Sequence, residues 1–161
     1  MARVFLSYAR ENAGEAQHLA EAIGAAGHHV WWDRHVHGGL RFADEIDRAL
    51  KDAEVVVVLW SQDAIGSAWV QDEAVEGRDS GRLVPVSLDS TKPPLGFRQY
   101  QTLDLSGDLS GGESTSLDEL LHAIASTARE ESVRRRRQDR PESRAAAAIF
   151  DLCPPVRQHE R

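Results

Sequence analysis

The sequence predicts an open α/β sandwich, with about five strands in a parallel sheet and helices on both faces. Two observations carry this prediction. Short apolar runs rich in β-formers alternate with segments of helical periodicity through residues 1–128. One run, Val55–Trp60 (VVVVLW), shows no polar alternation, which marks a strand covered on both faces and central in a parallel sheet. Parallel neighbours need crossover connections, and these are right-handed in nearly every known case.

The first strand is Arg3–Ser7 (RVFLS), followed by a loop over 8–11. Asn12 is placed to cap a helix with apolar positions Ala16, Leu19, Ala20 and Ile23, and Gly27 suits its stop. Residues 28–32 (HHVWW) read as a second strand and 33–40 as a glycine-containing loop. Phe42, Ile46, Ala49, Leu50 and Ala53 mark a second amphipathic helix. After the third strand, Ser67 caps a third helix running through Trp69, Val70 and Val75 to about Arg78. A fourth strand covers 83–88 (LVPVSL), where Pro85 lacks a ladder donor and suggests a bulge or an unpaired position. Residues 89–99 form a loop and 100–105 a short fifth strand, with a weak or missing helix before it. Ser116 with Glu119 makes a capping box for a last helix that turns Leu117, Leu120, Leu121, Ile124, Ala125 and Ala128 inward. Open sheets of this kind hold ligands at the C-terminal ends of their strands, near a switch in strand order. The loops to watch are therefore 8–11, 33–40, 61–67 and 89–99.

A chain of 161 residues suits one domain and needs no disulfide or metal staple. No stretch approaches the ~20 apolar residues of a membrane span. The opening MARVFLSYAR lacks the apolar run of a secretory signal, and the lone Cys153 cannot form an internal disulfide. A cytoplasmic address with no membrane contact is the expectation. The net charge of −7 is unevenly placed. Residues 1–128 hold 10 Lys+Arg and 20 Asp+Glu, whereas 129–161 hold 9 and 6. The acidic body is a poor match for nucleic acid, so any such binding falls to the basic end. A folded domain over 1–131 and a basic, largely disordered tail over 132–161, opening on the four arginines 134–137, is the division expected. The alternative for the tail is an arm for nucleic acid or anionic lipid.

Several common sites are absent. There is no GxxxxGK[ST] for a P-loop and no GxGxxG after the first strand. No Cys/His quartet exists for zinc, and His35 and His37 have no nearby carboxylate pair with ligand spacing, so neither metal nor cofactor is expected.

What remains has a definite order. Val4-Phe5-Leu6-Ser7-Tyr8-Ala9-Arg10 is followed by Val30-Trp31-Trp32-Asp33 and then by Gly38-Gly39-Leu40-Arg41-Phe42. Next come IDRALKDAEVVVVLWS, Ser67-Ala68-Trp69-Val70-Gln71-Asp72-Glu73, Leu83-Val84-Pro85-Val86 and Phe97-Arg98. In sequence and spacing these resemble the Toll/interleukin-1 receptor (TIR) domain family, bacterial type, over about residues 1–130. The resemblance implies a flavodoxin-like fold. It also implies one of two activities: self-association in signalling, or cleavage of NAD+ at the nicotinamide–ribose bond by one glutamate of the third helix. Glu73 stands at that glutamate's motif position. Self-association would run through the loop after the second strand, here Arg34, His37, Gly38, Gly39 and Leu40, which also gates the site in the family. A solvated turn would look the same in sequence.

Physical chemistry supports Glu73 independently. Nicotinamide leaves NAD+ as a neutral base, so no general acid is needed, unlike ordinary glycoside cleavage. One carboxylate can stabilise the cation-like ribose that is left, hold its hydroxyls, or guide an acceptor. Glu73 lies four residues after Trp69, on one helix face, and near the helix N-terminus, which favours its charged form. The competing possibility is a solvated surface glutamate. Trp60 and Trp69 are candidates for stacking on nicotinamide or adenine, or for core. Trp32 stands between core and pocket rim. Tyr8 and Arg10 follow the first strand, where the family lines its nucleotide pocket; a guanidinium suits pyrophosphate, although Arg10 could instead pair with Glu11 or Glu15. Ser61, which follows the third strand, is counted among the substrate-binding candidates, and Asp33 caps the loop after the second strand or touches substrate. The leading expectation is an NAD+-cleaving TIR enzyme, with NAD+ as substrate and active as a homo-oligomer or filament. It would yield nicotinamide and ADP-ribose or a cyclic isomer. The alternative is a non-catalytic TIR–TIR adaptor. A receiver-like domain is disfavoured, because Ser7-Tyr8 stands where its paired carboxylates belong.

Overall fold

Strands β1 (Arg3–Ser7), β2 (His29–Trp31), β3 (Val55–Trp60), β4 (Leu83–Ser87) and β5 (Leu103–Asp104) pair in parallel in the order β2-β1-β3-β4-β5. Helices α1 (Ala13–Ala25), α2 (Leu40–Asp52), α3 (Ala68–Asp79) and α4 (Thr115–Gln138) cover the sheet. This computed structural model describes residues 1–32, 40–107 and 115–139, the side chains of 40–42 excepted. β3 is central and all six of its residues are buried, as its unbroken apolar run requires.

Strand parity sorts the core into two layers. Val4, Leu6, Val55, Val57 and Leu59 pack with Ala16, Leu19 and Ile23 of α1 and Leu120 and Ile124 of α4. Phe5, Val56, Val58 and Trp60 face the other way, against Ile46 and Leu50 of α2 and Val70 and Ala74 of α3. Successive strand residues point to opposite faces, so one register sets both layers. Phe5 lies opposite Trp31, and Ser7 opposite Val58. The chain leaves β1 to one side for β2 and to the other for β3, which puts the switch in strand order at β1.

Helix ends follow local chemistry. α1 and α3 both stop in a glycine with positive φ, Gly27 (89°) and Gly81 (68°). In each, the following amide reaches back to close the last turn: His28 N–H to the Ile23 carbonyl, and Arg82 N–H to that of Gly77. The buried guanidinium of Arg82 satisfies the end of α2, donating to the carbonyls of Leu50 at 3.0 Å and Ala53 at 2.6 Å.

Four expectations are corrected in detail. Asn12 precedes α1, but its side chain makes no cap bond there, because Ser61 engages it. Of the two readings of Pro85 the bulge fails and the unpaired position holds: the β3–β4 register runs unbroken through Pro85, opposite Val58, and β5 pairs only from Val86 onward. α4 begins at Thr115, which puts Ser116 inside the first turn rather than at the cap. The helix also continues past residue 131 to Gln138, through the arginine run. Its extension is held by contacts: Arg135 bonds Glu131 at 2.8 Å and the Ala53 carbonyl at 3.1 Å, and Arg134 bonds the Ser80 carbonyl. The rest of the expected tail, 140–161, lies outside the described residues. Among the described residues no helix is long and apolar enough to cross a membrane.

Candidate functional site

A cavity of about 1150 Å³ opens at the C-terminal end of β1, beside the switch point. That exceeds the ~300–1,000 Å³ typical of drug-sized ligands and suits an extended one. Its walls come from four places. β1 and the segment after it contribute Phe5, Ser7, Tyr8 and Arg10; β2 contributes Trp31; α2 contributes Ile46; the loop after β3 and the start of α3 contribute Gln62, Asp63, Trp69 and Glu73.

Two hydrogen-bonded ties fix these walls. Ser61 Oγ donates to Asn12 Oδ1 at 2.6 Å and accepts from the Ala64 amide at 3.0 Å. That joins the 3₁₀ turn Arg10–Asn12 to the turn Ala64–Gly66. Gln71 Nε2 donates to the Ile65 carbonyl at 2.7 Å, which holds the second turn against α3. Ser67 caps α3, accepting from the Val70 amide at 3.4 Å.

Glu73 is the chemically unusual group. It is only 6% exposed, although it carries a carboxyl. Burial raises its pKa from the ordinary 4.5 to about 7. The Ser7 hydroxyl and the indole N–H of Trp69 lie against it and oppose that shift, while the neighbouring Asp72 charge adds to it. Ser7 comes close without meeting hydrogen-bond geometry, since its Oγ is buried with no partner among the described residues. The helix N-terminus, expected to favour the charged form of Glu73, does not keep its pKa in the ordinary range. Glu73 sits in the second turn of α3, where the dipole's effect has faded and desolvation prevails.

The aromatic assignments also move. Trp31, not Trp32, lines the cavity, stacked on Phe5 with ring centroids 4.9 Å apart and planes at 10°. Trp32 lies on the opposite face, packed with the α1/α4 layer and tilted against Tyr8 at 6.4 Å. Trp60 is fully buried and is not on the cavity wall. The turn after β4 covers it with Phe97, 5.2 Å away centroid to centroid. Ser61 is likewise buried and acts as a tie between walls. Trp69 is 51% exposed at the mouth, on the same helix face as Glu73. Arg10 is exposed at the rim and pairs with neither Glu11 nor Glu15 among the described contacts. Asp33, Arg34, His37, Gly38 and Gly39 lie outside the described residues, and of Leu40 only the backbone, opening α2, is described.

Strand parity could have selected Trp31. It sits opposite Phe5, two residues before Ser7 on β1, and Glu73's helix packs on that face. Gln62 and Asp63 had no sequence signal beyond their place in a watched loop. Among the described residues there is no group of three metal-ligating side chains.

This geometry belongs to a known class. A sequence model of the TIR domain matches residues 4–121, and the chain belongs to that family. No curated protein matches it. Solved structures share its fold at low identity. The TIR domain of the Toll-related receptor TRR-2 from Hydra magnipapillata is 18% identical, covering 78% of this chain and 99% of its own, with a TM-score of 0.65. A TIR-STING receptor from C. gigas, solved with 2',3'-cGAMP, is 21% identical with a TM-score of 0.62; the match covers 77% of this chain and 39% of the receptor. The TIR domains of the activated Roq1 resistosome, which recognises the pathogen effector XopQ, are 19% identical, covering 77% and 99%, with a TM-score of 0.58.

Proposed function

We propose that this TIR domain cleaves NAD+ at the nicotinamide–ribose bond, with Glu73 as the essential residue. The observation that carries the proposal is a buried carboxyl, poised near neutrality, on the wall of a cavity of dinucleotide size. A low-dielectric site rewards a carboxylate that faces developing positive charge.

The reaction needs little from the protein beyond that charge. The C–N bond breaks with its electron pair passing to nicotinamide, which leaves neutral. The ribose becomes an oxocarbenium ion, which ionised Glu73 stabilises. Water then adds and loses a proton, giving ADP-ribose; addition of a nucleophile from the same substrate gives a cyclic isomer. The nicotinamide ring's own positive charge favours ionisation of Glu73 as it enters, because opposite charge lowers a carboxyl pKa. Trp31 and Trp69 offer flat faces for the bases, and Arg10 offers its guanidinium to the pyrophosphate. Self-association through the loop 33–40 brings the enzyme to its active state.

Nicotinamide release from NAD+ by the concentrated chain, with Glu73→Ala alongside, tests this. Release by the wild type and its loss in the variant are expected. Association with no release would favour the non-catalytic adaptor.

A further inference from the structure

The site holds a buried polar group that the proposed chemistry leaves unused. Ser7 ends β1, faces the α2/α3 side of the sheet with Phe5, and lines the cavity beside Glu73. It is 1% exposed, and its Oγ has neither accessible surface nor a hydrogen-bond partner among the described residues. An unsatisfied buried hydroxyl costs free energy, so its place after the buried apolar run Val4–Leu6 needs a reason. Ser7 Oγ is closed to solvent, so a molecule in the cavity does not touch it directly. The Glu73 carboxyl lies against the Ser7 hydroxyl and is the group through which Ser7 can act on the chemistry.

We propose that Ser7 is a positioning residue for Glu73, its hydroxyl donating to the carboxylate once that group ionises and fixing its orientation toward the ribose. The inference rests on the NAD+-cleaving role proposed for Glu73. While Glu73 is protonated the pair is loosely engaged. When Glu73 loses its proton, the nearby O–H supplies a charge-assisted bond in a dry setting. The other charged groups about the carboxyl are few: Asp72 on its own helix, Arg10 and Glu11 from the turn after β1, and Asp63 from the loop after β3. α2 presents apolar Ile46 to the cavity, and β2 presents Trp31. Ser7 is the uncharged donor buried among them.

The test is a carboxyl titration of Glu73 by ¹³C NMR in the full chain, for wild type and Ser7→Ala, paired with the pH profile of kcat/KM for nicotinamide release. Removing the donor is expected to raise the Glu73 pKa by roughly half a unit to one unit. The acidic limb of the profile then moves up with it, so kcat/KM falls about 3- to 10-fold at pH 6 and less than about twofold at pH 8.5. Thermal stability at pH 6 is expected to hold or rise, since an unpaired hydroxyl is removed. Ser7→Cys, a weak donor of similar size, is expected to fall between, and it serves if the alanine variant misfolds. Identical Glu73 titration in wild type and both variants would overturn the proposal. A Glu73 titration shifted in the variants, with no nicotinamide release by the wild type, would support the Ser7–Glu73 pairing and overturn the enzymatic role on which its catalytic meaning rests.

Discussion

Glu73 shows how burial and position compete at one residue. Spacing put it on Trp69's face of α3, and the structure keeps it there, but desolvation outweighs the helix dipole. Its folded pKa of about 7 lies above the ordinary 4.5, so the native state holds the extra proton between those values. Stability from this group is full below pH 4.5, declines as pH rises toward 7, and is lost above it. The difference corresponds to a cost on the order of 3 kcal/mol at pH 8. Glu73→Gln is therefore expected to raise Tm by several degrees at pH 8 and hardly at all at pH 5, measured by calorimetry. The neighbouring indole tests the cavity wall. Trp31→Ala removes the face stacked on Phe5 and is expected to raise KM for NAD+ about tenfold. Trp32→Ala, on the opposite layer, is expected to lower Tm while changing KM much less.

At the scale of the element, α3 is held against the sheet at Gly77, one turn beyond Glu73. A Cβ there would come within 2.9 Å of Val56 Cβ and 3.1 Å of its Cγ1. Val56 is buried in the central strand, so the neighbour cannot swing away. Gly77→Ala gains roughly 1 kcal/mol of helix propensity and is expected to lose more, about 1–3 kcal/mol, to overpacking. The expected result is a lower Tm together with reduced nicotinamide release, because α3 must shift and carries Glu73 with it. The same close approach was invisible in the sequence, where Gly77 is an ordinary glycine inside a helical pattern.

For the whole molecule, the parallel sheet, its central strand and the missing helix before β5 were legible because they rest on patterns of apolar residues, which survive folding unchanged. What escaped were outcomes of partnership across the chain. Trp60 lies at the expected strand end, yet the turn at Phe97 closes over it. Asn12 looked like a cap and instead receives Ser61 from 49 residues away. The arginine run resembled a solvated tail, but Arg134 and Arg135 reach the Ser80 and Ala53 carbonyls at the far end of the sheet. A chain ending at 131 is therefore expected to be less stable than one ending at 139, by thermal unfolding at equal pH and salt. Equal stability would show those contacts to be energetically idle. The central claim concerns a reaction, and one measurement reaches it most directly: nicotinamide released from NAD+ by concentrated wild type and by Glu73→Gln under identical, self-associating conditions. The account predicts steady release from the wild type and a loss of at least about 100-fold in the variant, the scale of removing a principal electrostatic stabiliser. Undiminished release from Glu73→Gln, or none from an assembled wild type, would contradict it.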